Sequence, residues 1–429
     1  MMGKLRPINV ADKQLYYTGT GEGNGACTIR AEIVFTEDIQ PELLKRAAKE
    51  ASRYIWPFRL SLVWHNGVLM HEEIDAEPPV YPRSDKTFSF ATADTNGHMY
   101  YLLYEGKTVS LYYSHGLGDG TTGLYFCRFL VRFYLSYLYP EEMPFDAEDA
   151  YQKLNIWPGE NQFDFLDGAG KQKRAVPIKP AFHIPEEHYL SRDEMYCMDM
   201  PREEFMRRLT ELNTTPVPFM MALMGRAFRK TYKVGRRAVV ALISADMRRV
   251  YGRNTIDGFF GAVMVPYEPA YDALDLAEVC GRLQTDMKRW LTRENMTAFF
   301  AMSTGILKLQ ESKWLSRGPG KWLAQKVEML AQHGVLTYAI THVPLKKMLS
   351  EFGGKVLSME AFVRNKSDGT IGVTSTEKTV SVRMTEYIGG QALLEALRQE
   401  LTAQGIPCEC SVKKVVNHAR LDLSTLRNV

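Results

Sequence analysis

The apolar positions along the chain switch repeatedly between a helical period near 3.6 and a strand period of two. In PELLKRAAKEA (41–51), Leu43, Leu44, Ala47, Ala48 and Ala51 share one face and Pro41 suits a first helical turn, so an amphipathic helix is predicted. YIWPFRLSLVWHNGVLMHEE (54–73) reads as strand, Asn66-Gly67 turn and strand, a hairpin signal. HMYYLLYE (98–105) and TVSLYYSH (108–115) form a second alternating pair around Gly106. LYFCRFLVRFYLSYL (124–138) is apolar almost all round, with Arg128, Arg132 and Ser136 as one thin polar stripe, which predicts a buried helix.

Between 140 and 182 this periodicity stops. Pro140, Pro144, Pro158, Pro177 and Pro180 punctuate alternating acidic and basic clusters, which reads as a crossover. Beyond it, EMYCMDM (194–200) predicts a strand and 202–212 a helix. A strongly apolar helix (FMMALMGRAFRKTY, 219–232) and a strand (RAVVALISADMR, 237–248) follow. Next come a Gly-rich segment (IDGFFGAVMVPYE, 256–268) and a helix with Leu276, Val279, Cys280, Leu283, Met287 and Trp290 along one face. The chain closes with SMEAFVRN, TIGVTSTE and TVSVRMTE as strands, then a helix over 391–404 that Gly405 stops, then a last strand. Strand–strand–helix units in both halves predict a mixed α/β (α+β) fold. The 429 residues exceed what one core organises, so two lobes are expected: 1–165, a linker at 166–182, and 183–429.

Composition narrows the function classes. With 45% apolar and 24% charged residues the chain is globular in character, and a net charge of +3 without a long basic run disfavours nucleic acid. Lys171-Gln172-Lys173-Arg174 reads as a solvated loop. The first residues carry no continuous apolar stretch and no segment is long enough to span a bilayer, so neither a secretory signal nor a membrane span is expected. The six cysteines are scattered, in keeping with reduced side chains in a cytoplasmic protein, and Cys408-Glu409-Cys410 reads as part of a strand. No histidine spacing suits a metal, and none is expected.

The chemistry concentrates in SLYYSHGLGDGTTGL (110–124), which supports two readings. Gly118 to Gly123 spells G-x-G-x-x-G, the dinucleotide fingerprint, which requires a strand, a helix and a second parallel strand around it. Glu141 and Glu142 stand at about the right separation for its acidic residue, but no strand ends at them. His115 to Gly120 spells H-x-x-x-D-G. A histidine at the end of a strand on a Gly-rich turn is rigidly aimed, and a neutral imidazole can remove a proton from a hydroxyl or amine near neutral pH.

S-H-G-L-G-D-G, set between an apolar strand and an apolar helix, resembles the signature of the chloramphenicol-acetyltransferase-like superfamily, which includes condensation domains, alcohol acetyltransferases and polyketide-associated acyltransferases. Trp56-Pro57-Phe58-Arg59, Ser244-Ala245-Asp246-Met247-Arg248, Ile256 to Gly261 and the closing strand–strand–helix–strand are similar to further parts of that pattern, so the resemblance covers almost the whole chain. It implies two such lobes, each a mixed sheet flanked by helices, with a tunnel between them.

The resemblance also implies an acyltransferase with His115 as general base. Asp119 would hold the histidine loop by pairing with an arginine, Arg248 first and Arg249 as the alternative, with Gly120 completing the turn. Thr341, Thr337 and Gly258 are candidate oxyanion or substrate contacts. The donor would be acyl-CoA or an acyl carrier protein and the acceptor a small alcohol or amine, with no permanently bound cofactor. Ser114 stands where many condensation domains have a second histidine, which leans away from peptide condensation. The D-F-G-W-G segment of plant relatives is absent. A standalone condensation-type amide synthase and a non-catalytic binding relative of the same fold are the alternatives.

Overall fold

The computed structural model describes residues 3–18, 27–157, 180–185, 188, 194–298, 335–364, 369–385, 388–414 and 419–429. Most of the crossover, including Lys171 to Arg174, lies outside the described residues.

The first lobe opens with β1 (Leu5–Pro7), α1 (Val10–Thr18), β2 (Thr28–Phe35) and α2 (Pro41–Tyr54). Helix α1 is a feature that the apolar period does not signal. Its start is set by Asn9, whose Oδ1 accepts from the Asp12 amide at 2.9 Å, an N-cap with an acidic residue three positions on. The predicted hairpin is β3 (Leu60–His65) and β4 (Val68–Glu73). Its turn residues Asn66 and Gly67 both have positive φ, 51° and 78°. The first strand is shorter than predicted because Pro57 starts a 3-10 turn over Trp56–Arg59.

After β5 (Val80–Pro82) and β6 (Phe88–Ser89), β7 (Tyr100–Glu105) and β8 (Thr108–Ser114) pair antiparallel and lead into α3 (Gly120–Leu138). Helix α3 buries nine of its 19 residues, and the others are half-buried except the exposed Gly120. Its polar stripe is anchored, with Arg128 Nε on Glu351 at 2.6 Å and Arg132 donating to the Glu351 and Pro144 carbonyls. Beyond it lies α4 (Ala147–Gln152).

The second lobe comprises β9 (Glu194–Pro201), α5 (Arg202–Glu211), α6 (Pro216–Thr231), β10 (Val239–Asp246), α7 (Met247–Tyr251), β11 (Phe260–Tyr267), α8 (Leu276–Trp290) and β12 (Tyr338–Pro344). The Gly-rich segment is thus largely strand: β11 pairs antiparallel with β10 over its whole length. Gly261 lets β11 pass Met247 and Met296, where a Cβ would stand under 3 Å from both sulfurs. Then follow α9 (Lys346–Ser350), β13 (Val356–Arg364), β14 (Thr370–Ser375), β15 (Thr379–Met384), α10 (Gln391–Ala403), β16 (Glu409–Lys414) and β17 (Ala419–Arg420).

Two large sheets result. One has the order β13-β2-β8-β7-β5, the other β11-β10-β12-β14-β15-β9-β16. Helices α2 and α3 bury Leu44, Ala47, Ala48, Ala51, Phe126, Phe129 and Leu130 against one face of the first, and α6, α8 and α10 cover one face of the second. The order of elements along the chain hides one exchange. Strand β13 follows β12 in sequence, inside the 183–429 stretch, yet it pairs antiparallel with β2 in the first sheet, from Val356↔Phe35 to Arg364↔Thr28. The C-terminus also returns there, with β17 beside β6 and the Val429 amide donating to the Trp64 carbonyl at 2.8 Å. The uncovered faces of the two sheets therefore meet: Arg383 of β15 donates to Glu360 of β13 at 2.9 Å.

All six cysteines are free, four of them buried. No helix among the described residues is long and apolar enough to cross a membrane.

Candidate functional site

His115 follows the last residue of β8. Its amide donates to the Cys27 carbonyl at 2.8 Å, which ties the loop to the entry of β2. The residue is half-buried. Nδ1 is enclosed; it leans on its own carbonyl but has no hydrogen bond of normal geometry to any described residue. Nε2 is left as the open nitrogen, and the ring stands 5.4 Å from that of Phe260, centroid to centroid. Burial lowers the imidazole pKa, against a smaller upward pull from its own carbonyl and Asp119, so the ring is neutral at pH 7.

The Asp119 carboxylate lies in the seam between the lobes. It caps α3, with Oδ1 accepting from the Thr122 amide at 3.0 Å. The same carboxylate takes Arg248 Nη1 at 2.7 Å, Arg248 Nη2 at 3.2 Å and the Phe259 amide at 2.8 Å. Arg248 is 6% exposed and donates further bonds to the carbonyls of Thr255 and Asp257 at 2.9 and 2.7 Å and to Asp246 Oδ1 at 3.3 Å. Arg249 is exposed and takes no part. Burial alone would raise the Asp119 pKa, but the Arg248 charge and hydrogen bonds outweigh it and hold the carboxyl below its ordinary value. The segment 254–259 is thereby clamped to the start of α3, and Thr122 Oγ1 adds a 2.6 Å bond to the Ile256 carbonyl.

The glycines of the motif differ in what they do. A Cβ on Gly116 would stand 2.6 Å from the Tyr16 ring, one on Gly118 2.5 Å from Thr122, and one on Gly123 2.1 Å from the Tyr113 hydroxyl. Gly120 is exposed with open space around it. Topology also rejects the dinucleotide reading. Strand β8 has antiparallel neighbours on both sides, so no βαβ unit exists, and the Thr122 amide at the helix start is taken by Asp119.

Of the remaining candidates, Gly258 lies at the clamp, its amide 3.3 Å from Asp12 Oδ2. Thr341 is half-buried on β12, one position beyond Ile340, which pairs with Ile243. That level is two residues, roughly 7 Å, short of Asp246 at the site end of β10. Thr337 sits just before the other end of that strand. Its hydroxyl donates to the Phe182 carbonyl at 2.7 Å and accepts from the Val240 amide at 3.0 Å, so it is committed to joining strands, roughly 20 Å from the clamp.

Two acidic residues escaped the sequence reading. Asp12 of α1 is 2% exposed; Asn9 Nδ2 and the Gly258 amide serve Oδ2, while Oδ1 is buried without a partner among the described residues. Asp257 is half-buried beside it. Burial, then Asp257 and Asp119, raise the Asp12 pKa; burial also pushes Asp257 up to about 7, with Arg248 and Arg6 opposing. The only signal in the sequence was Asn9-x-x-Asp12 as a helix start. A raised folded pKa gives stability that is complete below the unfolded value and is lost as pH rises through the folded one. We therefore expect the difference in unfolding free energy between Asp257→Asn and wild type, measured by urea titration, to move in favour of the variant from about pH 4 to about pH 8. A difference that stays flat across this window would refute the assignment.

Tyr16 holds α1 against the histidine loop: its ring covers Gly116 and its hydroxyl shares a 2.8 Å hydrogen bond with His71 Nε2. Gly116→Ala should cost about 1–3 kcal/mol in urea unfolding, since the new methyl overpacks a buried ring. Tyr16→Ala in the same chain should remove that penalty, and an additive double variant would show that the clash lies elsewhere.

The sequence matches no family model, and no curated protein matches it significantly. Solved structures do. The chain is similar to polyketide synthase associated protein 5 from Mycobacterium tuberculosis, at 12% identity over 94% of this chain and 99% of that one, with a TM-score of 0.58. It is similar to the first condensation domain of the CDA synthetase, at 13% identity over 98% of both chains and a TM-score of 0.58. It is also similar to the starter condensation domain of rhizomide synthetase RzmA, solved as a mutant in complex with C8-CoA and Leu-SNAC, at 12% identity over 93% of both chains and a TM-score of 0.59. The fold is therefore the two-lobed one of condensation domains, the chloramphenicol-acetyltransferase-like fold.

Proposed function

We propose that the protein is an acyltransferase that moves an acyl group from a CoA or carrier-protein thioester to an alcohol or amine. One observation carries the reading: a neutral imidazole with an open Nε2, at the end of a rigid strand, on a loop clamped by the buried Asp119–Arg248 pair. That is what a general base needs. Nε2 accepts the proton of the acceptor O–H or N–H as the oxygen or nitrogen attacks the thioester carbonyl. The C–S bond then breaks, and the imidazolium returns the proton to the leaving sulfur. No covalent acyl-enzyme is required, and the buried Cys27 and Cys127 are not offered for one.

Donor and acceptor reach His115 through a tunnel between the lobes. Holding both in line lowers the barrier by about 7–11 kcal/mol relative to free collision. Thr341, half-buried on the uncovered sheet face, is the hydroxyl for the developing oxyanion; Thr337, already bonded, is not. The starter condensation domain solved with C8-CoA and Leu-SNAC supports a CoA thioester as donor.

The test is thiol release from acetyl-, butyryl- and longer acyl-CoA with a panel of alcohols and amines, after subtraction of the protein's own cysteines. Release that requires an acceptor and disappears in folded His115→Ala is expected. Acceptor-dependent release that survives the substitution would refute the role of His115. Absence of release with every acyl-CoA and with carrier-bound thioesters would refute the transferase.

A further inference from the structure

Three positions back from His115 along the first sheet lies a second built feature. Arg30 of β2 pairs with Tyr112 of β8, which places it about 10 Å from His115 along the strand. Arg30, Glu32, Glu360 and Phe362 form one wall of a cavity of about 360 Å³, Met195, Lys413 and Lys414 the facing wall, and Arg83 part of its rim. The walls belong to different lobes. On one side Arg30 pairs with Phe362 and Glu32 with Glu360 across β2 and β13; on the other Met195 pairs with Lys413 across β9 and β16.

The charges of this cavity are unequal. Glu32 is paired with Arg30, and Glu360 with Arg383, which is itself 2% exposed. Arg83 meets Glu105 in solvent at 2.9 Å. Lys413 and Lys414 are exposed and have no ion-pair partner among the described residues. Arg30 is held between the rings of Tyr112 and Phe362, at 5.2 and 5.5 Å, and its Nε is buried without a hydrogen bond to any described residue. Cations are thus in excess over carboxylates, the carboxylates are already neutralised, and Met195 and Phe362 add apolar surface. A negatively charged group gains from the two uncompensated charges of Lys413 and Lys414, which a cation would meet as repulsion.

We propose that this cavity between the lobes is an oxyanion-binding subsite, taking the phosphate- or carboxylate-bearing end of a ligand whose apolar part lies against Met195 and Phe362. The ligand's identity as donor or acceptor rests on the transferase reading; the binding does not. A phosphate source is the CoA donor, and a carboxylate source is an acidic acceptor.

Binding of pyrophosphate, CoA, pantetheine and adipate to the full chain is measured by calorimetry. Lys413→Ala/Lys414→Ala is compared with wild type and with Lys45→Ala/Lys49→Ala, a variant of equal charge change on the outer surface of α2. Two lost exposed charge contacts should raise the Kd of the anionic ligand about tenfold. Pantetheine should be unaffected, Lys413→Arg/Lys414→Arg should retain binding, and added salt should weaken binding in wild type. Loss for pyrophosphate and CoA assigns the subsite to the donor; loss for adipate alone assigns it to the acceptor. If all three anions bind the alanine variant as tightly as wild type, or if none binds wild type, the proposal falls. Anion binding that is weakened in this variant of a protein without transferase activity would keep the subsite and reject the transferase.

Discussion

Arg248→Ala is expected to lose about 3–5 kcal/mol of unfolding free energy, because it leaves an unpaired carboxylate in the seam between the lobes. Asp119 is 5% exposed, so water does not replace the two guanidinium contacts at 2.7 and 3.2 Å. The carbonyls of Thr255 and Asp257 lose their donor in the same step, which removes two of the bonds that hold the 254–259 segment. The loss should depend on pH in a definite sense. Asp119 has a folded pKa below its unfolded value, so its contribution is present above about pH 4 and is lost as pH falls through the lower folded value. Wild type and variant should therefore converge in acid. Urea unfolding at pH 7 and in acid measures both; a loss under about 1 kcal/mol at pH 7 would place the pair among weak surface contacts and refute its role as the clamp. Asp119→Asn/Arg248→Met should lose less than the sum of the single changes, because the charge stranded by each is removed by the other.

The sequence was most informative where local chemistry dictates structure. Asn66-Gly67 fixed a two-residue turn, and the one-sided pattern of 41–51 gave a helix whose Leu44, Ala47, Ala48 and Ala51 are all buried. The motif at 115–120 placed a strand end, a tight loop and a helix cap within a few residues, all of which depend on neighbours in the chain. It offered two arginines for Asp119; burial, which a single sequence does not display, selects Arg248. Long-range facts were hidden for the same reason. Nothing in SMEAFVRN says that it pairs with TIRAEIVF more than 300 residues earlier rather than with the strands beside it. Asp12 looked like one more polar residue in a weakly patterned stretch, and only the packing of α1 brings it to Gly258. Thr337 and Thr341 lie four residues apart and share a residue type, yet one is bonded at the far end of the sheet and the other stays unbonded among the described residues near the site end.

His115→Ala is expected to reduce acceptor-dependent thiol release by about 10²–10⁴-fold, the range that a positioned general base contributes. The fold should survive, because the imidazole makes no hydrogen bond to a described residue and the loop is held by its backbone and by Asp119. Activity and stability thus separate at two positions of one motif: Asp119 carries the stability and His115 the rate. The pH profile gives a second readout. Burial lowers the imidazole pKa, so the base stays neutral below the ordinary histidine value, and the acid limb of kcat/KM should have its midpoint below about pH 6.5. A carboxylate base of ordinary pKa would give a limb near pH 4, and a free surface histidine one close to 6.5. Asp257 titrates near 7 and could be mistaken for the base, but its limb would lie above the ordinary histidine value whereas that of His115 lies below it. Asp257→Asn should therefore leave the acid limb in place while His115→Ala abolishes it. A limb that moves with Asp257 instead would transfer the base from the end of β8 to the clamp.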